Sequence, residues 1–302
     1  MNREQIELAY QKFFKEFDIN VTTGIVEKNP SLRFATMPYI GSNYFSAKKK
    51  ILFIGMDIGE DEYNKANRYQ SLEDRRRNFA DGKNGEEKNF KNFHIAGTYC
   101  AALYLLKDVY GWDNIWQDFS KFPTYKQATN KKHHDEGQNP LSFVALTYLF
   151  KFVNKGREGR KGAANRYWVN KEKEEELLLN EIELLKPDIV FFQSKDTLWQ
   201  TSVFGEIIKK NIEIIVTHHP SSYRHSKNPQ DYVNSFDTIY KSKKQEIFSD
   251  ESRRRLEENY SKEFIDSIEY AFSQPGLRLT FREQINLITK HGLKVRKGKI
   301  GK

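Results

Sequence analysis

Two short stretches hold residues whose types and spacing suit chemistry. In GMDIG, residues 55–59, the acid Asp57 stands between Gly55 and Gly59 at the tip of an apolar run, ILFIG. Glycines at a strand end permit a tight turn and a close approach of backbone to ligand. In HHPSS, residues 218–222, Pro220 fixes the direction in which the chain leaves His219. Ser221 and Ser222 follow, with hydroxyls able to donate to phosphate oxygens. Neither stretch is a nucleotide fingerprint, since G-x-G-x-x-G and G-x-x-x-x-G-K-[ST] are both absent. Taken singly, each also reads as an ordinary turn. Further candidates are NFHIAGT (92–98), with Asn92, Phe93 and His94 at a helix start whose free N–H groups suit phosphate or a base. Phe93 and Phe79 are rings of a kind that stacks on bases, although core packing is the commoner fate of such rings. Gln193, at a strand tip, either reaches a pocket or caps a turn. KKHHDE (131–136) reads as a solvated loop rather than a metal site, because adjacent histidines are not a usual ligand spacing.

The elements that must position these residues are legible from hydrophobic period. KKKILFIGMD (48–57), LSFVALTYLFKF (141–152), DIVFFQ (188–193) and IEIIVTHH (212–219) are short, apolar and rich in β-formers, as strands buried on both faces are. HIAGTYCAALYLLKDVYG (94–111), NKEKEEELLLNEIELLK (170–186) and segments near 199–209 and 228–243 read as helices. At the N-terminus, Ile6, Tyr10, Phe13, Phe14 and Phe17 recur at helical spacing over residues 2–18, with Leu8 off that stripe. Residues 60–92 and the polar stretch before Pro140 read as long loops, and 154–166 as a basic, glycine-rich loop. Strands alternating with helices predict a three-layer α/β/α domain with a central, mostly parallel four-stranded sheet, flanked by N- and C-terminal helical extensions. Sites in such sheets gather at the carboxyl ends of the strands, where Asp57, Gln193 and His219 all fall. Beyond residue 247 the pattern is helical: 250–272, then a helix from Thr280 with a capping box to Glu283, then the basic tail KVRKGKIGK. That tail reads as solvated, or as a sequence-independent phosphate contact.

Fifty Lys and Arg against 41 Asp and Glu give a formal net charge of +9. This balance suits an anionic partner, nucleic acid or a membrane surface, and equally serves solubility. Aromatic residues are 14% of the chain, enough to fill a core and leave rings for stacking on bases. One cysteine, Cys100, excludes an intrachain disulfide and a four-thiolate metal site, and fits a reducing compartment. No apolar run reaches the roughly 20 residues of a membrane span, and the first residues lack the apolar stretch of a signal peptide. A cytoplasmic protein without a membrane partner is expected.

Together and in this order, G-M-D-x-G after an early strand and H-P-S-S after a late one resemble the paired motifs of the uracil-DNA glycosylase superfamily. The resemblance covers residues 36–243, leaving 1–35 as an N-terminal helical segment and 244–302 as a helical extension outside it. It implies a monomeric DNA glycosylase without metal or cofactor, acting on a base flipped out of the duplex. Asp57 would steady the sugar cation and orient a water, and His219 would donate to the oxygen that becomes anionic on the departing base. Gly55, Met56, Ile58, Gly59, Phe93, His94 and Gln193 would line the base pocket. Ser221 and Ser222 would pin the DNA backbone, with Tyr223 and Arg224 where the family places its wedge.

The chain departs from the family at three positions. Ile58 stands where proline is usual. Gly59 stands where enzymes strict for uracil carry a tyrosine that excludes groups on carbon 5, so it resembles the branches that tolerate them. No asparagine ends the second core strand, where many members read the pyrimidine edge, and Asn154 follows too late. A 5-substituted pyrimidine is therefore the expected target, in repair or in defence against viral DNA with modified bases. Two other functions fit the same chain. A metal-dependent nuclease would use Asp57 with Glu60, Asp61 and Glu62, or the faint P-D…Q-x-K pattern of Asp188, Gln193 and Lys195. Asp188 and Gln193, five apart on one strand, would however face opposite sides. A module that binds modified DNA without releasing a base is the other.

Overall fold

In the computed structural model the described residues are 2–34, 36–56, 69–77, 93–122, 138–154, 168–194, 197, 201, 203–220, 228–240, 254, 257 and 262. In chain order the elements are α1 (Asn2–Glu16), β1 (Ile25–Val26), β2 (Asn29–Phe34), β3 (Tyr39–Ile40), β4 (Ile51–Gly55), α2 (Leu72–Arg76), α3 (Phe93–Tyr110) and α4 (Asp113–Ser120). They continue with β5 (Val144–Tyr148), β6 (Phe152–Asn154), α5 (Lys171–Leu185), β7 (Ile189–Phe192), α6 (Phe204–Lys209), β8 (Glu213–Val216), α7 (Pro229–Val233) and β9 (Asp237–Tyr240).

Six strands form a mixed sheet in the order β3-β5-β4-β7-β8-β9. β4 pairs in parallel with β5 on one side and β7 on the other, and β7 pairs in parallel with β8. The edge strands β3 and β9 run antiparallel to β5 and β8. Two strands more than the predicted four are therefore present, both short edges. A separate antiparallel sheet, β1-β2-β6, places two strands within residues 1–35, expected to be a helical segment, and a third at the end of the run read as one strand over 141–152.

Side chains alternate between the two faces with period two. Leu52, Ile54, Val190, Phe192, Ile214 and Val216 pack against α1, α5 and α6. Ile51, Phe53, Leu146, Ile189, Phe191 and Ile215 pack against α3, α4 and α7. Every residue of β4, β5 and β7 is buried, which explains their unbroken apolar runs. In α1 the predicted stripe turns inward: Ile6, Tyr10, Phe13 and Phe14 are buried, while Leu8 is 61% exposed. Each such buried side chain contributes about 1.5–3 kcal/mol of transfer free energy. α5 starts at Asn170, whose side chain accepts from the Lys173 N–H at 3.1 Å, and stops at Lys186, in the left-handed region at φ 48°, just before Pro187.

Several readings change. Residues 141–152 are not one strand. After β5 the chain bends, and the N–H groups of Leu149 and Phe150 donate to the carbonyls of Gly55 and Met56 at 2.8 and 2.9 Å. The segment 228–243 is not a helix throughout: α7 ends at Val233 and β9 follows, so strand pairing with β8 overrides the local helical signal. Within 60–92, Ser71 and Asp74 form a capping box that starts α2. Within the polar stretch after Gly111, Trp116 and Phe119 bury one face of α4.

One polar cluster lies inside this core. Lys151, Glu181, Tyr10 and Thr147 are each 2% exposed or less. The Lys151 ammonium donates to both Glu181 oxygens at 3.0 Å, to Thr147 Oγ1 at 2.9 Å and to Tyr10 Oη at 3.3 Å. Tyr10 and Thr147 hydroxyls also donate to Glu181, the latter at 2.8 Å. Burial, then the Glu181 charge, pushes the Tyr10 phenol well above its usual range, keeping it a neutral donor. The cluster joins α1, α5 and the end of β5. Nearby, Glu174 accepts from the N–H groups of Val169, Asn170 and Lys151 at 2.8, 3.1 and 3.2 Å. Burial outweighs those hydrogen bonds and raises its carboxyl to about 7. No helix among the described residues is long and apolar enough to cross a membrane.

Candidate functional site

The parallel strands β5, β4, β7 and β8 end on the same edge of the sheet, and the backbone ladder runs one residue past them. Gly55 is in register with Tyr148. The Gln193 N–H donates to the Ile54 carbonyl at 3.0 Å, and the Thr217 N–H to the Phe192 carbonyl at 3.1 Å. Tyr148, Gly55, Gln193 and Thr217 thus form one row across four strands. The two-residue period puts their side chains on the face covered by α3.

Each member of the row is held. Gly55 is needed for close approach: a Cβ there would lie 3.0 Å from the Tyr148 ring and 3.5 Å from Gln193 Oε1. Tyr148 is fixed from outside by Arg75 of α2. Its hydroxyl accepts from Arg75 Nη2 at 3.1 Å, and the guanidinium carbon lies 5.4 Å from the ring centroid. Arg75 is 3% exposed, and its other arm donates to Gln70 Oε1 at 3.2 Å. Thr217 Oγ1 bonds Ser235 Oγ at 2.5 Å, and Ser235 donates to the Tyr232 carbonyl at 2.6 Å. That chain leaves Thr217 as the donor and ties the end of β8 to α7, just before His218 and His219.

α3 contributes from above. His94 lies in its first turn, with its ring centroid 4.5 Å from that of His219 and the two planes at 86°. An edge-on pair at that separation is a favourable aromatic geometry. His219 is half-buried, His218 exposed and Pro220 buried, so of the two adjacent histidines it is His219 that turns into the rim. One turn along α3, Thr98 Oγ1 donates to the His94 carbonyl at 2.8 Å and accepts from Gln193 Nε2 at 2.6 Å. Gln193 is 1% exposed, and its Oε1 has no hydrogen-bond partner among the described residues.

Of the residues singled out in sequence, Gly55, His94, Gln193 and His219 come together at this rim, whereas Met56 packs into the core on the opposite face, with Leu52 and Ile54. Phe93 opens α3. Asp57, Ile58, Gly59, Glu60, Asp61 and Glu62 lie outside the described residues, as do Phe79, Asn92, 131–136, Lys195, Ser221, Ser222, Tyr223 and Arg224. Asn154 lies in β6, away from the end of β5. Asp188 and Gln193 sit at opposite ends of β7, with Asp188 Oδ2 accepting the Lys50 N–H at 2.8 Å, so they do not converge. Sequence reasoning missed Thr98, Tyr148 and Arg75. Arg75 had a signal, the S-x-x-D box at Ser71 that starts its helix. The other two owe their place to strand register and to α3 crossing the sheet edge.

The described rim brings together two imidazoles, a buried amide and an aromatic wall. Such a mix suits a flat, polar-edged ring. Compared with known proteins, the chain matches no family model, no curated protein and no solved structure.

Proposed function

We propose that the protein is a DNA glycosylase that hydrolyses the N-glycosidic bond of a flipped-out, 5-substituted pyrimidine. One observation carries the reading: β4, which leads to Asp57, and β8, which leads to His219, open on one edge of the sheet, parallel and separated only by β7. The strand ends next to these motifs, which stand 162 residues apart from 57 to 219, thus lie on one edge of the sheet, which supports the reading. In this reading the four parallel strands are the central sheet of a three-layer catalytic domain spanning 36–243, and 244–302 is an extension.

The mechanism follows from charge. The bond between C1′ and the base nitrogen breaks with both electrons leaving on the base. The Asp57 carboxylate stabilises the sugar cation and orients a water, whose oxygen bonds C1′ and whose proton passes to the carboxylate. His219 donates to the base oxygen where negative charge collects, and a half-buried site strengthens that bond relative to water. Ser221 and Ser222 hold phosphate, and Tyr223 or Arg224 fills the gap left by the extruded base. Gly59 leaves room beside Asp57 for a substituent on carbon 5. The partner is DNA, the working form a monomer, and the setting the cytoplasm, in repair or in defence against modified viral DNA. No metal or cofactor takes part.

The test is incubation with modified and unmodified DNA in EDTA. Alkali-labile abasic sites without direct strand breaks are expected. Strand breaks that appear only when Mg²⁺ is supplied would replace this reading with the nuclease, and tight binding without base release would replace it with a reader of modified DNA.

A further inference from the structure

Gln193 presents a buried carbonyl oxygen that no group among the described residues uses. Its orientation is set by proton counting. Thr98 has one hydroxyl proton and gives it to the His94 carbonyl at 2.8 Å. The Thr98 oxygen can then only accept, so the Gln193 group 2.6 Å away is the NH₂. The amide cannot turn over without forfeiting that bond. Its Oε1 therefore points away from α3, 3.5 Å from where a Gly55 Cβ would stand and beside the Tyr148 ring. The side chain is 1% exposed and the oxygen has no hydrogen-bond partner among the described residues. Buried polar atoms are nearly always paired, and an orphan costs about 1–3 kcal/mol. An orphan locked in one orientation, in the middle of the row where the strands end, is a binding group awaiting its donor.

We infer that Gln193 Oε1 is a fixed, acceptor-only reader for an N–H group on the edge of the ligand ring, with Thr98 as the positioning residue that removes its alternative face. A free glutamine amide recognises donors and acceptors alike. Locked by Thr98, this one accepts only. The ring must bring an N–H to it, either a ring imide such as N3–H of a 4-oxo pyrimidine or an exocyclic 4-amino group. A ring carrying a carbonyl or an N-methyl group at that point is rejected, because the buried oxygen stays unpaired and meets a second acceptor or a methyl group. Missing partners of this kind are how polar sites discriminate strongly.

The inference rests on the proposed reading only in taking the ligand to be a pyrimidine at this rim, and it does not require that a bond be cleaved. Free bases separate the two. With N1 blocked, as it is in a nucleoside, 1-methylthymine offers N3–H, 1,5-dimethylcytosine offers a 4-amino group, and 1,3-dimethylthymine offers neither. Binding to the full chain is measured by saturation-transfer NMR and calorimetry. 1-Methylthymine or 1,5-dimethylcytosine should bind at least about tenfold more tightly than 1,3-dimethylthymine, the worth of one well-made hydrogen bond. Whichever of the two binds identifies the donor. Gln193→Leu should erase the preference. Gln193→Asn, which draws the oxygen back by one methylene, should erase it as well and serves if Gln193→Leu does not fold. Thr98→Val should leave binding but narrow the preference, since the freed amide can turn over. The inference is overturned if none of the bases binds, if 1,3-dimethylthymine binds equally well, or if Gln193→Leu keeps the preference. Base release from DNA with no preference among free bases would leave the glycosylase reading standing alone. A clear N–H preference with no base release would leave the acceptor standing and remove the enzyme.

Discussion

Lys151→Met isolates the energetics of the polar cluster inside the core. In the wild type the ammonium touches both Glu181 oxygens at 3.0 Å, with both side chains 1% exposed. Methionine fills nearly the same volume, so little packing is lost, but Glu181 is left with two hydroxyl donors and no cation. Breaking one half of a buried pair costs about 3–5 kcal/mol, because the remaining charge is neither solvated nor neutralised. At ~2 °C per kcal/mol for a chain of this size, the melting temperature should fall by roughly 6–10 °C. Removing the charge from both sides should cost less. In Lys151→Met/Glu181→Leu no buried ion remains, and the residual penalty is the loss of partners by Tyr10 and Thr147, about 1–3 kcal/mol each. The double variant should therefore be more stable than the sum of the two single variants by at least ~2 kcal/mol. Calorimetry and urea denaturation of the four proteins give the cycle. A single variant melting within a degree of wild type, or strictly additive losses, would refute the claim that the ion pair is desolvated and coupled.

Other positions give sharper local tests. Gly55→Ala puts a methyl group 3.0 Å from a Tyr148 ring that Arg75 holds in place. It should cost about 1–3 kcal/mol by chemical denaturation, and pairing it with Tyr148→Ala should recover part of that loss. Glu174 gives a pH dependence. Its folded carboxyl, at about 7 against an ordinary 4.5, binds its proton more tightly than the unfolded chain does. Its contribution is thus fully present below about 4.5 and is lost as pH rises through about 7, a change of roughly 3 kcal/mol. Urea midpoints measured between those values should fall with pH in the wild type and flatten over the same interval in Glu174→Gln. Cys100 is fully buried, with its thiol 3.8 Å from the Pro229 carbonyl, and burial pushes it well above the usual thiol range. It should resist alkylation in the native protein and react at once in denaturant, as followed by mass spectrometry.

Much of this architecture is written in local pattern, and the exceptions have physical causes. β4 and β7 are unbroken apolar runs, because a central parallel strand is covered on both faces. α1 and α5 show their period plainly, since each buries one stripe. β9 escaped notice because an edge strand buries little. Asp237–Tyr240 is mixed in polarity and follows a well-capped Pro229 turn, so local signals favour helix while pairing with β8 decides for strand. The break between β5 and β6 is hidden in continuous apolar sequence. It arises from the carbonyls of Gly55 and Met56, which draw the chain aside, and Lys151 in that run was its one polar hint. At the rim, Gln193 and His219 were legible as strand tips. Thr98 and Tyr148 were not, because nothing in either one's neighbourhood tells that α3 crosses the end of β7 or that β5 ends level with Gly55.

The central claim is that this rim releases a base from DNA. The most direct measurement is a mass-spectrometric screen for free bases set loose, in EDTA, from a panel of DNAs carrying different 5-substituted pyrimidines. A single modified pyrimidine released by the wild type, with release abolished in both Asp57→Ala and His219→Ala, is the predicted result. No free base from any member of the panel, or full release by both variants, would contradict it.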